Sequence, residues 1–212
     1  KGNWIAFLDS DDWWDFNKLK YCIEFFNTSD LIYHNLNIIF KKKNFFSTKK
    51  NFKIRQLKEP ILIDLLNSGN IIPNSSVIVR KKLLKQIGLI SESKKIVASE
   101  DYNTWLKISK ITNKFLYLPK SLGYYFVHDQ NISQKDMSFS HREATKEFLS
   151  VLNDKQKKKI EANIQFISGR FHYQNLNYKK AKKNFFYVIM HGAFKLKIKS
   201  IIMLTHIMIK LN

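Results

Sequence analysis

The 212-residue sequence predicts an α/β fold: a sheet flanked by helices, with a helical appendage at the C-terminal end. Three observations predict it. Apolar runs of strand length, Trp4–Leu8, Leu31–Phe40 and Ser76–Arg80, alternate with segments of helical spacing. The first run ends in an acidic cluster, Asp9-Ser10-Asp11-Asp12-Trp13-Trp14-Asp15, and open α/β sheets bind their ligands at the carboxyl ends of strands. From about Ser138 the pattern becomes wholly helical. A hydrophobic content of 44% with 14% aromatics is that of a folded chain, which excludes a disordered one.

In chain order, Leu19, Cys22, Ile23 and Phe26 recur at helical spacing and predict an amphipathic helix over residues 16–27. Leu31–Phe40, rich in Ile, Leu, Tyr and Phe, predicts a strand, and the Lys/Asn/Ser stretch Lys41–Lys53 an exposed hairpin or loop. Glu59-Pro60 opens a short helix through Leu66, closed by Ser68-Gly69-Asn70. Ser76–Arg80 is a strand, Lys81–Ile87 a helix stopped by Gly88, and Glu100–Lys110 a further helix. Two short strands follow, Phe115–Leu118 and Tyr124–Val127.

Lys155–Leu176 and Tyr178–His191 predict two antiparallel helices joined at Asn175-Leu176-Asn177. The segment Tyr173 to Phe185 resembles half of a tetratricopeptide repeat, a unit that needs a stacked neighbour to bury its faces. A last helix, Phe194–Leu211, interleaves Lys195, Lys197 and Lys199 with Ile198, Ile201, Ile202, Leu204 and Ile207. Its apolar stretch is too short and interrupted to span a bilayer. Such a helix either lies on an anionic membrane surface or packs its apolar stripe onto its own protein. The expected domains are residues 1–134 and a basic helical region, 138–212.

The formal net charge is +20, with +9 over residues 1–134 and +11 over the remaining 78. Only four of the 37 basic residues are arginines (Arg55, Arg80, Arg142, Arg170), whereas base readout and bidentate phosphate contacts favour Arg. Nucleic acid is therefore disfavoured as a partner, and any charge-driven partner belongs with the C-terminal region. The single cysteine, Cys22, excludes an internal disulfide framework and fits a reducing, cytoplasmic setting.

Adjacent carboxylates repel and raise one another's pKa unless a cation sits between them. A calcium loop of the EF-hand type needs Gly at its sixth position and Glu at its twelfth. Counted from Asp9 those places hold Trp14 and Lys20. Two readings remain: an Asx-rich turn or helix cap, and a divalent-metal site at the end of a strand.

The run Gly2-Asn3-Trp4-Ile5-Ala6-Phe7-Leu8-Asp9-Ser10-Asp11-Asp12-Trp13, followed by Lys18-Leu19, resembles the metal-binding strand end of family 2 glycosyltransferases. The resemblance implies an Asp-x-Asp motif at Asp9 and Asp11, with Asp12 the adjacent acid, holding Mn²⁺ or Mg²⁺ against the diphosphate of a nucleotide-sugar donor. Asn74-Ser75-Ser76-Val77-Ile78-Val79-Arg80-Lys81, then Ser99-Glu100-Asp101-Tyr102, is similar to the acceptor-side segment of the family. By resemblance Asp101 is the general base and Glu100 shapes the acceptor site; read without it, the two acids cap a helix. Tyr124-Tyr125-Phe126-Val127-His128 matches an aromatic-x-x-His segment whose His completes the metal site in some relatives. A lone His after a strand is equally a packing residue, as His34 and His172 are expected to be. Trp13, Trp14 and Trp105 are either sugar-stacking or core aromatics.

The resemblance covers residues 1–134. It implies a GT-A type mixed sheet flanked by helices, a front portion preceding Lys1 that would hold the nucleotide base and ribose, and an inverting enzyme with a donor site at Asp9, Asp12 and Trp13. The expected reaction is transfer of a single sugar to a glycan or lipid-linked acceptor for bacterial surface polysaccharide. The expected place is the cytoplasm, at the inner face of the membrane through residues 194–211. The alternatives are an inactive fragment of such an enzyme and a basic module that binds nucleic acid or anionic membrane.

Overall fold

The computed structural model describes residues 2–40, 50–52, 54–128 and 135–211. The chain divides into two compact units. The first comprises residues 1–65, 70–91 and 101–131, and the second residues 66–69, 92–100 and 132–212.

The first unit is built on a mixed sheet. Its strands are β1 (Trp4–Ala6), β2 (Trp13–Trp14), β3 (Leu31–Phe40), β4 (Lys50–Asn51), β5 (Ile78–Arg80) and β6 (Phe115–Val127). They run in the order β1-β5-β3-β6-β2, with β4 paired to β3. Among the described residues only the β3–β6 pairing is parallel. Helices α1 (Lys18–Ile23), α2 (Ile61–Ser68), α3 (Lys81–Gln86) and α4 (Glu100–Ser109) accompany the strands. The expected mixed sheet with flanking helices is borne out.

Side chains of a strand alternate between its two faces, and β3 is buried on both. Ile32 joins Cys22, Ile78, Leu118 and Leu122 in a cluster against which Trp4, Ala6, Phe25 and Phe26 pack. Its neighbour Tyr33, also fully buried, donates its hydroxyl to Arg55 O at 2.8 Å and accepts the Leu57 N–H at 3.0 Å.

Three local expectations need correction. The predicted strands 115–118 and 124–127 are one continuous strand, β6. Its register against β3 shifts between His34 and Asn37, and that irregularity accommodates Pro119, which has no N–H to give a ladder. The helix expected over 16–27 is only α1, and Leu19 and Ile23 on its expected apolar face are exposed. Lys18 and Cys22, one turn apart, are the residues it buries. Trp13–Trp14 forms a strand that no apolar run announced. Of the expected loop over 41–53, residues 41–49 and 53 lie outside the described residues, while Lys50–Asn51 pairs with β3.

The second unit is helical, as expected: α5 (Ser138–Thr145), a 3-10 stretch (Lys146–Val151), α6 (Asp154–Gln174), α7 (Tyr178–His191) and α8 (Phe194–Leu211). A capping box opens α6, in which Asn153 Oδ1 accepts the Gln156 N–H and Gln156 Oε1 accepts the Asn153 N–H. Gly169 lets α7 come close: a Cβ there would lie 2.8 Å from the Phe185 ring. Phe166, Ala181, Phe185, Val188, Leu204 and Ile207 form the core of α6, α7 and α8. Asn163 on α6 donates to the carbonyl oxygens of Asn67 at 2.9 Å and Leu66 at 3.3 Å.

Candidate active site

The acidic cluster forms the turn between β1 and β2. Phe7 N–H donates to Val77 O at 3.0 Å, and Asp12 N–H closes a turn onto Asp9 O at 3.1 Å. The turn is tied to the segment just before β5. Asp9 N–H donates to Ser75 Oγ at 3.0 Å, and Asn74 Nδ2 donates to Asp9 Oδ1 at 2.7 Å. Ser75 also takes a second bond, from Lys18 Nζ to its carbonyl oxygen at 2.8 Å. Lys18 is 1% exposed and lies 4.3 Å from the centroid of the Trp14 ring. Burial pulls its amine down to about 7. The Trp14 indole N–H in turn donates to Phe7 O at 3.3 Å. A buried lysine thus clamps both sides of the acidic turn.

The other side of the turn is held by β6. Trp13 and Trp14 pair with Tyr124 and Gly123. Close approach explains the glycine, since a Cβ on Gly123 would lie 2.9 Å from Leu36 Cδ2 and 3.1 Å from Trp13 O. Phe126 N–H donates to Asp12 Oδ1 at 3.0 Å, and His128 Nε2 lies 2.9 Å from Asp11 Oδ2, an imidazole N–H donating to a carboxylate. The rings on this face of β6 form a ladder. Trp13, 43% exposed, stacks on Tyr124 at 5.2 Å and tilts against Phe126, which meets His128 at 5.4 Å.

Asp12 is the buried acid of the cluster. Burial raises its pKa, opposed by the Ser75 hydroxyl and the Phe126 N–H and reinforced by the charges of Asp9 and Asp11. Its Oδ2 is buried with no hydrogen-bond partner among the described residues. A carboxylate oxygen left bare beside two other carboxylates is a place where a cation lowers the energy.

Asp101 stands in the first turn of α4. Asn70 Nδ2 donates to its Oδ2 at 2.9 Å and Tyr102 N–H to its Oδ1 at 2.6 Å. Trp105 lies one turn further on, hence on the same face of the helix. Its ring meets Phe7 edge-on at 5.5 Å. That contact seats the Asp101 face of α4 against the strand end that carries Asp9. Trp105 Nε1 is buried with no partner among the described residues. Glu100 opens α4 and groups with the second unit.

The structure therefore brings Asp9, Asp11, Asp12, Trp13 and His128 to one end of the sheet and packs the helix of Asp101 beside it. The four expected metal ligands do not form a ready cage: among the described residues no three His, Cys, Asp or Glu side chains are gathered to hold a metal ion. His34 is fully buried, with Nδ1 2.8 Å from Asn35 O. Burial and the nearby Lys18 push it down to about 3. The sequence motifs contained Lys18, Asn74 and Ser75, and a helix stop contained Asn70, but none of the four was assigned the supporting role it has here. The one available signal was a lysine just beyond an acidic turn and one turn before Cys22, a spacing that places it on a buried helix face.

Residues 1–88 match the family profile described as glycosyl transferase family 2. The match spans 88 of the 212 residues, and over that segment the chain is similar to the family. An uncharacterised glycosyltransferase of Nostoc sp. is 27% identical over 135 residues, 61% of this chain and 41% of that protein. The UDP-Glc:alpha-D-GlcNAc-diphosphoundecaprenol beta-1,3-glucosyltransferase WfaP of Escherichia coli is 28% identical over 133 residues, 63% of this chain and 49% of its own length. The chain thus spans less than half the length of either relative. The crystal structure of S. aureus TarS superposes with a TM-score of 0.53 at 18% identity, covering 92% of this chain and 35% of that one. TarS 1-349 gives 0.52 at 19%, with 92% and 58% covered. The likeness to these structures is one of fold, and it carries the GT-A expectation.

Proposed function

We propose that this chain forms part of a metal-dependent, inverting glycosyltransferase. It moves a single sugar from a nucleotide-diphosphate donor to a glycan or lipid-linked acceptor, in the assembly of bacterial surface polysaccharide. The observation that carries the reading is the acidic turn held open between Ser75 and β6, with the Asp101 face of α4 packed beside it through Trp105 and Phe7. The name of WfaP, a nucleotide-sugar enzyme acting on a lipid diphosphate, supports this choice of donor and acceptor class.

The residues fit a divalent cation. Asp12 presents a bare buried oxygen, and Asp11 and His128 lie side by side at its edge. Magnesium-type sites use one or two carboxylates and complete their shell with substrate phosphates, so no ready-made protein cage is required. Asp11, Asp12 and His128 would hold Mn²⁺ or Mg²⁺ with Asp9 behind them, and the ion would supply positive charge for the departing diphosphate. Asp101, held through Asn70 and the Tyr102 N–H, takes the proton of the acceptor hydroxyl. The acceptor oxygen bonds to the anomeric carbon as the bond from that carbon to the diphosphate oxygen breaks on the opposite face. Inversion follows. Trp13, exposed at the head of its ring ladder, offers the donor a stacking face.

Titration calorimetry with uridine diphosphate and Mn²⁺ tests the donor half. The wild-type chain should release heat and Asp11→Asn should not. A folded wild-type chain that gives no heat with any nucleoside diphosphate sinks the reading.

A further inference from the structure

Helix α8 buries one side and leaves another bare. Ser200, Leu204 and Ile207 are buried, and Leu196 and Met203 pack against the same core. At 100° per residue, Phe194, Ile198, Ile201, Ile202, Met208 and Ile209 fall together on the opposite side. All six are exposed, from 42% at Ile198 to 76% at Phe194. Only Thr205 interrupts the stripe. Single exposed apolar residues are ordinary on a soluble protein, but six in one stripe mark an interaction surface.

Charge identifies the partner. Lys195, Lys199 and Lys210 border one edge of the stripe and Lys197 the other, where its Nζ reaches Met190 O at 3.3 Å. Residues 178–211 hold eight lysines and no acidic residue. A second copy of this face would set lysine against lysine, a repulsive arrangement. Nucleic acid would leave the apolar stripe in water, and residues 171–212 contain no arginine for bidentate phosphate contacts. Among the described residues no helix is long and apolar enough to cross a membrane. A helix with an apolar stripe between lysine rows instead lies in the plane of a lipid surface, its rings and branched chains among the acyl chains and its ammonium groups at the phosphates.

We infer that α8 is a docking face for anionic lipid. This rests on the exposed side chains of α8 alone and stands or falls apart from the transferase reading. The full chain should co-sediment with vesicles containing phosphatidylglycerol, bind pure phosphatidylcholine vesicles far less, and release from the former as salt rises. Ile201→Ser with Ile202→Ser and Ile209→Ser, all at exposed positions, should abolish vesicle binding while circular dichroism and the midpoint of urea unfolding stay unchanged. Lys195→Gln with Lys199→Gln and Lys210→Gln should weaken it by at least about tenfold. The inference is overturned if wild type ignores phosphatidylglycerol or binds both vesicle types equally, or if the serine variant binds like wild type. It is equally overturned if the wild-type chain is a dimer that the serine variant breaks, or if RNA binds in place of vesicles and the serine variant retains it.

Discussion

The acidic turn and the last helix treat charge in opposite ways. In the turn between β1 and β2 the carboxylates are individually tethered: Asp9 to Asn74, Asp11 to His128 and Asp12 to the Phe126 N–H. On α8 the lysines surround bare apolar side chains, and the stripe they border has no tether at all among the described residues. A site built for a small ligand fixes each polar atom to a fraction of an ångström. A face built for a fluid surface needs only a stripe and a sign of charge. The contrast separates the consequences of substitution: geometry governs in the first place and composition in the second.

The hardest way to break the first region is Asp101→Asn. The amide keeps the shape and can still meet Asn70, but it cannot take a proton. The turnover number should fall by about 10² to 10⁴-fold, with nucleotide binding unchanged and vesicle binding by α8 untouched, as steady-state assays and co-sedimentation would reveal.

Lys18 sharpens the comparison because it is, among the described residues, the one buried lysine. Its folded pKa, lowered by burial to about 7 from an ordinary 10.5, means that the unfolded chain binds the extra proton between those values. Stability therefore rises as pH goes from about 7 to 10.5 and is lost as pH falls through 7, over a range on the order of a few kcal/mol. Urea midpoints across that window should rise with pH in wild type and lose that rise in Lys18→Met, which leaves the opposite slope of the buried Cys22 thiol, pushed up to about 11.

The helical unit has its own titrating group in the interior. His141 Nδ1 lies 2.8 Å from the Ser99 hydroxyl, and burial lowers its pKa from 6.5 to about 4. The sign is that of a base kept neutral: its contribution is complete above pH 6.5 and lost as pH falls toward 4, at most about 3 kcal/mol. His34 acts likewise in the sheet unit down to about 3. His141→Gln should remove part of the acid sensitivity seen by thermal unfolding and leave a part to His34 and to Asp136, whose carboxyl, despite burial, the Ser138 and Ser168 hydrogen bonds hold down.

The smallest expected effect is the most local. Gly123→Ala puts a methyl against Leu36 and the Trp13 carbonyl, costing about 1–3 kcal/mol by overpacking. Because β2 must shift, donor affinity should fall with it, whereas an alanine for Thr205 on α8 should change neither.

Legibility in the sequence follows the range of the interactions. β3 was readable to the residue because ten consecutive strand-forming side chains carry their own signal. β6 was read as two strands because Pro119 and Gly123 punctuate it, and only its register against β3 absorbs them. The apolar side of α1 was misjudged because a buried lysine defeats a hydrophobicity count. Its acceptance depends on the Ser75 carbonyl, 57 residues away. Asp9, Asp11, Asp12, Glu100 and Asp101 announced themselves as motifs. Their pairings did not: Asn70 stands 31 residues from Asp101, and Asn74 and Ser75 stand 65 and 66 from Asp9. Sheet order brings those pairs together, and no local pattern encodes sheet order.

The bond from the Asp9 amide to Ser75 Oγ has a further consequence, in time. It closes only when strands far apart in the chain have found their neighbours, so the acidic turn takes its final shape late and gives it up early only at the expense of β5. The Asp9 amide proton should accordingly exchange with solvent at a rate set by opening of the sheet and not by fraying of a surface loop. One amide resonance would then report how often the acidic turn and the strands that hold it come apart.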